Sequence, residues 1–196
     1  MAPSTVLFFG PQGAGKGTQV KLLIEEIKKR STAAIIHIDM GQLLRNMVAI
    51  GGYSAKLTAN VIENGALMPD FMPIFLTSQA LVNGLVTGEE HIIADGLARR
   101  PDQTRAWDDS MQFYGRNSYS VIDLQLTEEE SIKRLLLRGR NDDTEEAIKR
   151  RLGWHKAEVE PQLQLLGDRG RTIHHIDGGR TIEEVHVDVV SALRLS

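Results

Sequence analysis

The sequence predicts an α/β fold with a five-stranded parallel sheet flanked by helices. Three observations lead to this prediction. Short apolar runs alternate with longer helical patterns, the 196 residues have an ordinary globular composition (41% hydrophobic, 25% charged), and a glycine-rich motif joins the first apolar run to the first helix. A chain of this length can bury a core of its own, so we expect one domain.

Five short apolar runs are the predicted strands. They span residues 6–9, 33–38, 91–94, 121–126 and 172–176. Each run is too short and too apolar for an exposed hairpin arm, and each is flanked by a helical pattern. Strands that are buried in a parallel sheet have this character.

Helical signals fill the segments between the runs. Apolar side chains recur at i, i+3, i+4 and i+7 across residues 20–27, which predicts one buried helix face. Thr127 and Thr181 are each followed three residues later by glutamate, a pattern typical of a capping box at a helix start. Asp143 gives a looser start signal of the same kind.

Two segments interrupt the alternation. Residues 40–86 carry helical patterns without a strand, broken at Gly51, Gly52 and Gly65, and this indicates a helical insertion. Residues 138–143 are polar and charged between two helices, so they form either a solvated loop or a short lid. The predicted core is then residues 1–39, 87–137 and 144–196.

Residues 10–16, with the sequence GPQGAGK, form a phosphate-binding motif between the first strand and the first helix. Glycines let backbone N–H groups turn inward around a polyphosphate, and the helix N-terminus adds positive partial charge. Lys16 is placed to reach the β- and γ-phosphates. Gly17 follows it, so the hydroxyl expected at that position comes one residue later, at Thr18. Asp95 ends the third strand and is the candidate to hold Mg²⁺ through water.

Residues 10–19, GPQGAGKGTQ, resemble the phosphate loop of the adenylate kinase family, in which glycine follows the lysine. The resemblance continues in order along the chain. Residues 40–45 are similar to the T-G-D-h-h-R segment at the AMP phosphate, and residues 65–70 look like the stretch that passes the AMP base. Residues 95–99 look like D-G-F-P-R, and residues 138–143 resemble the lid.

Single positions extend the resemblance and also depart from it. Gln103 falls where the family's base-reading glutamine falls, Arg151 matches the arginine after the lid, and Gly178 follows the last strand near the ATP adenine. The departures lie on the monophosphate side. Met40 and Gln42 replace Thr and Asp, and Leu-Ala at 97–98 replaces Phe-Pro.

The resemblance implies a P-loop NTPase fold with an NMP-binding insertion and a very short lid that closes, and reversible phosphoryl transfer from ATP to AMP. The catalytic candidates are Lys16, Arg99, Arg138, Arg140 and Arg151. The ATP-binding candidates are Gly13, Ala14, Gly15, Lys16, Gly17, Thr18, Arg134 and Gly178. The AMP-binding candidates are Met40, Arg45, Met68, Gly96, Arg99, Gln103, Arg140 and Arg151.

Arginines suit this reaction because it needs positioning and positive charge rather than a general base, since the attacking group is already a phosphate anion. Arg45 and Arg99 would clamp the acceptor phosphate in bidentate geometry, and the arginines in and after the lid would gather on the transferring group. Asp142 and Asp143 could orient them. Arg134 is an ATP-binding candidate only through the resemblance; its residue type alone would predict a solvated surface charge.

Composition argues against other classes of partner. The net charge of −3 gives no bulk attraction to nucleic acid or acidic membranes, and the absence of cysteine excludes disulfides and thiolate zinc sites. No signal peptide or membrane-length apolar run is visible. We expect a cytoplasmic monomer that uses Mg²⁺ with ATP and no zinc. The six histidines are expected to be structural or surface residues, and Trp107 and Trp154 to pack.

Three alternative functions remain open. The changes at Met40 and Gln42 allow a kinase for UMP, CMP or GMP, whereas Gln103 favours adenine because its amide pairs both a donor and an acceptor. A nucleotide-binding module without turnover is disfavoured by the intact set of lysine and arginines. A P-loop kinase for a small metabolite would not explain Gln103 or the two-aspartate lid.

Overall fold

The computed structural model describes residues 2–139 and 143–195, and within them all five predicted strands are present. The strands are β1 (Thr5–Phe9), β2 (Ile35–Asp39), β3 (His91–Asp95), β4 (Ser120–Gln125) and β5 (Thr172–Asp177). The helices are α1 (Lys16–Lys28), α2 (Met40–Ile50), α3 (Tyr53–Glu63), α4 (Phe71–Gly84), α5 (Pro101–Phe113), α6 (Glu128–Arg138), α7 (Glu145–Trp154), α8 (Glu160–Asp168) and α9 (Ile182–Ala192). A π-helical turn, His155–Val159, joins α7 to α8.

The strands form one sheet in the order β2-β3-β1-β4-β5, and every pairing is parallel. The predicted fold class is therefore confirmed. Leu7 in β1 is in register with Ala94 in β3 and with Val121 in β4, which makes β1 the central strand. Because the strands are parallel, the loops after β1, β2 and β3 open at the same edge, where α/β folds bind ligands.

Two apolar cores cover the two faces of the sheet. Leu7 and Phe9 belong to one core, and Val6 and Phe8 to the other, because successive side chains of a strand point to opposite faces. The first core also takes side chains from α2, α4, α5 and α8, and the second from α1 and α9. In the described part of the chain no helix is both long and apolar enough to cross a membrane.

The helix starts follow the sequence at two places and differ at one. The side chain of Thr127 accepts a hydrogen bond from the N–H of Glu130, and Thr181 makes a complete capping box with Glu184. The prediction that Asp143 starts a helix is wrong. Thr144 caps α7 instead, because the carboxylate of Asp143 is bound by arginines, as described below.

The segment between β2 and β3 is helical, with breaks at the predicted glycines. Its last helix, α4, packs against β2 and α5 and contributes Met72, Leu76 and Leu81 to the first core. Helix α3, in contrast, packs chiefly against α2. The insertion therefore divides into α4, which is part of the sheet body, and the α2–α3 pair. At the other segment, Arg138 is the last residue of α6, so the predicted lid begins inside a helix.

Candidate active site

Glycines bend the loop between β1 and α1 at positions where the backbone of a residue with a side chain would be strained. Gly10 has φ 129°, and a Cβ there would lie 2.3 Å from the carbonyl oxygen of Leu124. Gly15 has φ 90° and caps the N-terminus of α1. The Lys16 ammonium donates to the carbonyls of Gly10 (2.7 Å) and Pro11 (2.8 Å). These contacts hold the Lys16 ammonium against the loop, and the N-terminus of α1 adds positive partial charge beside it.

A cavity of about 420 Å³, the phosphate-loop cavity, lies over this loop. Of the predicted ATP-binding residues, its wall contains Gly13, Gly15, Lys16, Gly17, Thr18 and Arg134. Ala14 is buried in the second core instead. Gly178 lies behind the loop, where its carbonyl accepts a hydrogen bond from Arg134 at 2.9 Å and its N–H donates to the carbonyl of Gln125. Arg134 thus connects the loop after β5 to the cavity wall rather than being a free surface charge.

A smaller cavity of about 200 Å³, the insertion cavity, lies beneath α2 and α3. Of the predicted AMP-binding residues, its wall contains Met40, Arg45, Met68, Gly96, Arg99, Gln103 and Arg151. The remaining candidate, Arg140, lies outside the described residues, as does Asp142. Apolar side chains such as Leu44, Val61 and Leu67 form much of the rest of the wall, which suits a flat, largely apolar group such as a nucleobase.

The two cavities share a wall that is rich in arginine. Arg45, Arg99 and Arg138 each line both of them. These residues come from α2, from the loop after β3 and from the end of α6, so only the tertiary fold brings them together. Three guanidinium groups at this arginine junction would attract a multiply charged anion that reaches from one pocket into the other.

Asp143 organises two of the candidate arginines. Its carboxylate is fully buried and accepts two hydrogen bonds from Arg138, at 2.9 Å each, in a bidentate pair. It also accepts one from Arg151 at 3.1 Å. The pairing holds the two guanidinium groups side by side despite their like charge, because the shared carboxylate lies between them.

Arg99 packs against an aromatic ring. Its guanidinium carbon lies 5.3 Å from the centre of the Trp154 ring, and the Trp154 Nε1 donates to the carbonyl of Gly65 at 2.9 Å. Burial lowers the pKa of Arg99 from its ordinary value, and the carboxylates of Asp95 and Asp39 oppose this shift. Trp154 therefore connects α7 to the insertion and to the arginine junction.

Lys16 and Asp95 form an opposed pair at the base of the phosphate-loop cavity. Burial lowers the pKa of Lys16, and the nearby Asp95 carboxylate counteracts that shift. Burial likewise raises the pKa of Asp95, and the Lys16 ammonium counteracts it. Each charge thus favours the ionised form of the other in a poorly solvated site.

Three buried polar atoms in the wall of the phosphate-loop cavity have no hydrogen-bond partner among the described residues. They are Oε1 of Gln12, Oδ1 of Asp95 and Nε2 of His155. Buried polar groups are nearly always paired, so three such atoms around one cavity indicate a place for a polar ligand. The free carboxylate oxygen of Asp95, together with the Thr18 hydroxyl, also supplies hard oxygen donors suited to Mg²⁺. No cluster of three or more potential metal-ligating side chains occurs within residues 2–139 and 143–195.

Trp154 and His155 belong to the site, although neither was predicted from the sequence to do so. Trp154 was expected only to pack, yet it lines both cavities, and His155 was expected to be structural or at the surface, yet it lines the phosphate-loop cavity. They follow Arg151 by three and four positions, the spacing that shares a helix face, and this signal could have identified them. Trp107 does pack as expected, edge-on against Tyr119 in the first core.

The position of His155 predicts a dependence of stability on pH. Burial, with the nearby charges of Lys16 and Arg99, lowers the pKa of His155 to about 4. Between about pH 6.5 and this value, the unfolded chain therefore binds a proton that the folded chain does not bind. The contribution of His155 to the free energy of unfolding is therefore complete above about pH 6.5. It is lost as the pH falls from about 6.5 to about 4, by about 3 kcal/mol in total.

The His155→Gln variant should lack this component, because glutamine does not titrate. Urea unfolding of both proteins at intervals from about pH 7 to 4 checks the expectation. The free energies of unfolding should converge or cross as the pH falls. Parallel curves would contradict the neutral, buried state of the imidazole.

Comparison with known proteins gives consistent matches over nearly the whole chain. The family model described as adenylate kinase matches residues 8–170. An adenylate kinase of Thermus thermophilus is 34% identical over 194 residues, covering 96% of this chain and 96% of that protein. The adenylate kinase of Maricaulis maris is 31% identical over 192 residues, covering 96% and 97%. Adenylate kinase 1 of a Nostoc species is 30% identical over 188 residues, again covering 96% and 97%.

Proposed function

The chain belongs to the adenylate kinase family, and from this premise we propose that it transfers a phosphoryl group reversibly from ATP to AMP, giving two ADP. It is a nucleoside-monophosphate kinase. The observation that carries the proposal is the arginine junction, where Arg45, Arg99 and Arg138 line both the phosphate-loop cavity and the insertion cavity.

Two adjoining cavities of different character suit two nucleotides that meet through their phosphates. The backbone of the glycine loop and Lys16 would hold the β- and γ-phosphates of ATP in the phosphate-loop cavity. The insertion cavity would hold the AMP base against its apolar wall, near Gln103. The α-phosphate of AMP would then face the γ-phosphate of ATP at the shared wall, which is the geometry needed for in-line transfer.

The cations at this junction supply the main catalytic effect. Arg45 and Arg99 would hold the attacking phosphate, and Arg138 and Arg151, oriented by Asp143, would stabilise the charge on the transferring group. No proton has to be removed from the attacking group, so no residue serves as a general base. Arg140, two residues after Arg138 in the sequence, is proposed to join this set.

We propose that Mg²⁺ accompanies ATP, held by the phosphate oxygens and by Asp95 through water, with the Thr18 hydroxyl nearby. When bound there, the ion would neutralise charge on the β- and γ-phosphates. The unpartnered Oδ1 of Asp95 supports this role. The Lys16 ammonium, held by the loop carbonyls, would add a second positive charge close to the same phosphates.

Water must be excluded, since otherwise the γ-phosphate would be hydrolysed. We propose that residues 138–143 act as a short lid and that the insertion 40–86 moves mainly through α2 and α3. The packing of α4 against β2 and α5 supports this division, because moving α4 would open the first core. Closure of this kind occurs on the μs–ms timescale.

The decisive test is ADP formation from ATP with AMP, GMP, UMP or CMP as the acceptor, compared with ATP alone. We expect AMP to give the highest kcat/KM and ATP alone to give little ADP. A preference for UMP or CMP would contradict the choice of acceptor. ADP formation that is equally fast without any acceptor would contradict a kinase altogether.

The monomeric state and the cytoplasmic location remain predictions. Light scattering on the purified protein would check the first, and fractionation of the source cells the second.

A further inference from the structure

Both polar ends of the Gln103 side chain are held by the protein. Its Nε2 donates to Oδ1 of Asp70 at 2.7 Å, and its Oε1 accepts from the backbone N–H of Arg99 at 3.2 Å. The residue is 5% exposed and lines the insertion cavity. The side chain expected to contact the base is therefore locked in one orientation.

The chemistry of its two partners determines which way the amide points. An ionised aspartate only accepts hydrogen bonds, and a backbone N–H only donates. A flipped amide would place the Gln103 carbonyl against the Asp70 carboxylate and its NH₂ against the N–H of Arg99, so both contacts would become repulsive. Asp70 and the Arg99 backbone together permit one orientation.

Asp70 is available for this task because its side chain does not cap its own helix. It precedes α4 at the N-cap position, yet its side chain makes no capping hydrogen bond. Arg100 lies 3.8 Å from its other carboxylate oxygen and 3.7 Å from the carboxylate of Glu158, which provides positive charge beside Asp70.

After these two hydrogen bonds, the amide of Gln103 has one N–H donor and one carbonyl lone pair left for a base. Because the amide cannot flip, the positions of this donor and this acceptor are fixed. Adenine presents an amino donor at C6 beside the acceptor N1, and glutamine can pair with such a donor–acceptor edge in bidentate fashion. A 6-oxopurine such as hypoxanthine presents the reverse order, an acceptor at C6 beside an N1–H donor. An amide that cannot flip should therefore distinguish the two classes of purine.

We propose that Asp70 is a specificity-determining residue, which fixes the orientation of the Gln103 amide so that the monophosphate site selects a 6-aminopurine over a 6-oxopurine. This inference rests on the proposed function and deepens it. Asp70 acts through Gln103, so it is a positioning residue.

The test measures kcat/KM for AMP and for inosine monophosphate, at saturating ATP, in the wild type and in Asp70→Asn. Asparagine can present its own NH₂ to the Gln103 carbonyl, which removes one of the two contacts that oppose the flipped amide and leaves only the N–H of Arg99 against it. We expect the AMP-to-IMP ratio of kcat/KM to fall about tenfold or more, since one buried polar contact is lost or gained. The KM for ATP should not change.

Glu158→Gln is the matched control, because it removes a carboxylate from the same arginine and leaves both hydrogen bonds of Gln103 in place. Its AMP-to-IMP ratio should stay within about twofold of the wild type. If Asp70→Asn does not accumulate as folded protein, Asp70→Ala is measured instead, with the same expected fall in the ratio.

A purely structural role for Asp70 would lower both rates equally and leave the ratio unchanged, and that result would overturn the inference. The proposed function fails separately: a wild type that does not phosphorylate AMP contradicts that function. An active wild type with an unaltered ratio in the Asp70 variant contradicts only the assignment of Asp70.

Discussion

Arg99→Ala should reduce kcat by about 10³-fold or more while ATP continues to bind. Arg99 lines both cavities, and its guanidinium is held over Trp154, so it lies where the acceptor phosphate must meet the donor. Removing it takes away charge that is needed most in the transition state. Arg99→Lys should recover only part of the loss, because an ammonium cannot bind a phosphate in bidentate geometry.

A coupled assay for ADP gives kcat, and calorimetric titration with ATP gives the dissociation constant. Arg105→Ala is the control, since Arg105 lies exposed on α5, away from both cavity walls, and pairs with Asp102 at 2.7 Å. That variant should retain nearly full activity. Near-normal turnover in Arg99→Ala would remove Arg99 from the mechanism and weaken the case for the arginine junction.

Gly10→Ala should destabilise the fold by about 3–5 kcal/mol and abolish ATP binding. Two effects add. The φ of 129° is strained for any residue with a side chain, and the new Cβ would lie 2.3 Å from the carbonyl oxygen of Leu124 in β4. The backbone must shift to relieve the contact, and the loop carbonyl that accepts from Lys16 belongs to this same residue.

Thermal and urea unfolding measure the loss, and titration with ATP measures the binding. Gly153→Ala is the control, because Gly153 lies within α7, has no atom near the position of a Cβ and needs no unusual φ. It should raise the stability by about 0.5–1 kcal/mol, as expected for alanine in a helix. A Gly10→Ala protein as stable as the wild type would contradict the close approach of the loop to β4.

The features that follow from neighbouring residues could be predicted from the sequence. Each of the five strands lies within two residues of its expected position, since an apolar run flanked by helical patterns is a local signal. The caps at Thr127 and Thr181 depend on residues three positions apart. The glycine loop depends on seven consecutive residues, 10–16, so its position between strand and helix was also accessible.

The features that the sequence did not reveal depend on contacts between distant segments. Asp143 was predicted to cap a helix, but its carboxylate accepts hydrogen bonds from Arg138 and Arg151. Thr144 caps α7 instead. Trp154 contacts Gly65, 89 positions away, and this contact brings it into the site. A single sequence gives no measure of which distant side chains will meet.

Sequence patterns were sufficient to predict the parallel α/β sheet, the glycine loop with Lys16 and the residue types of the expected nucleotide sites, because periodicity, turn chemistry and motif spacing are properties of neighbouring residues. The shared wall of Arg45, Arg99 and Arg138 arises from the packing of distant segments, as does the hydrogen bond that Asp70 accepts from Gln103, 33 positions further along the chain. The reason is physical. Charge repulsion and the orientation of an amide depend on distances between side chains, and only the packed sheet and helices set those distances.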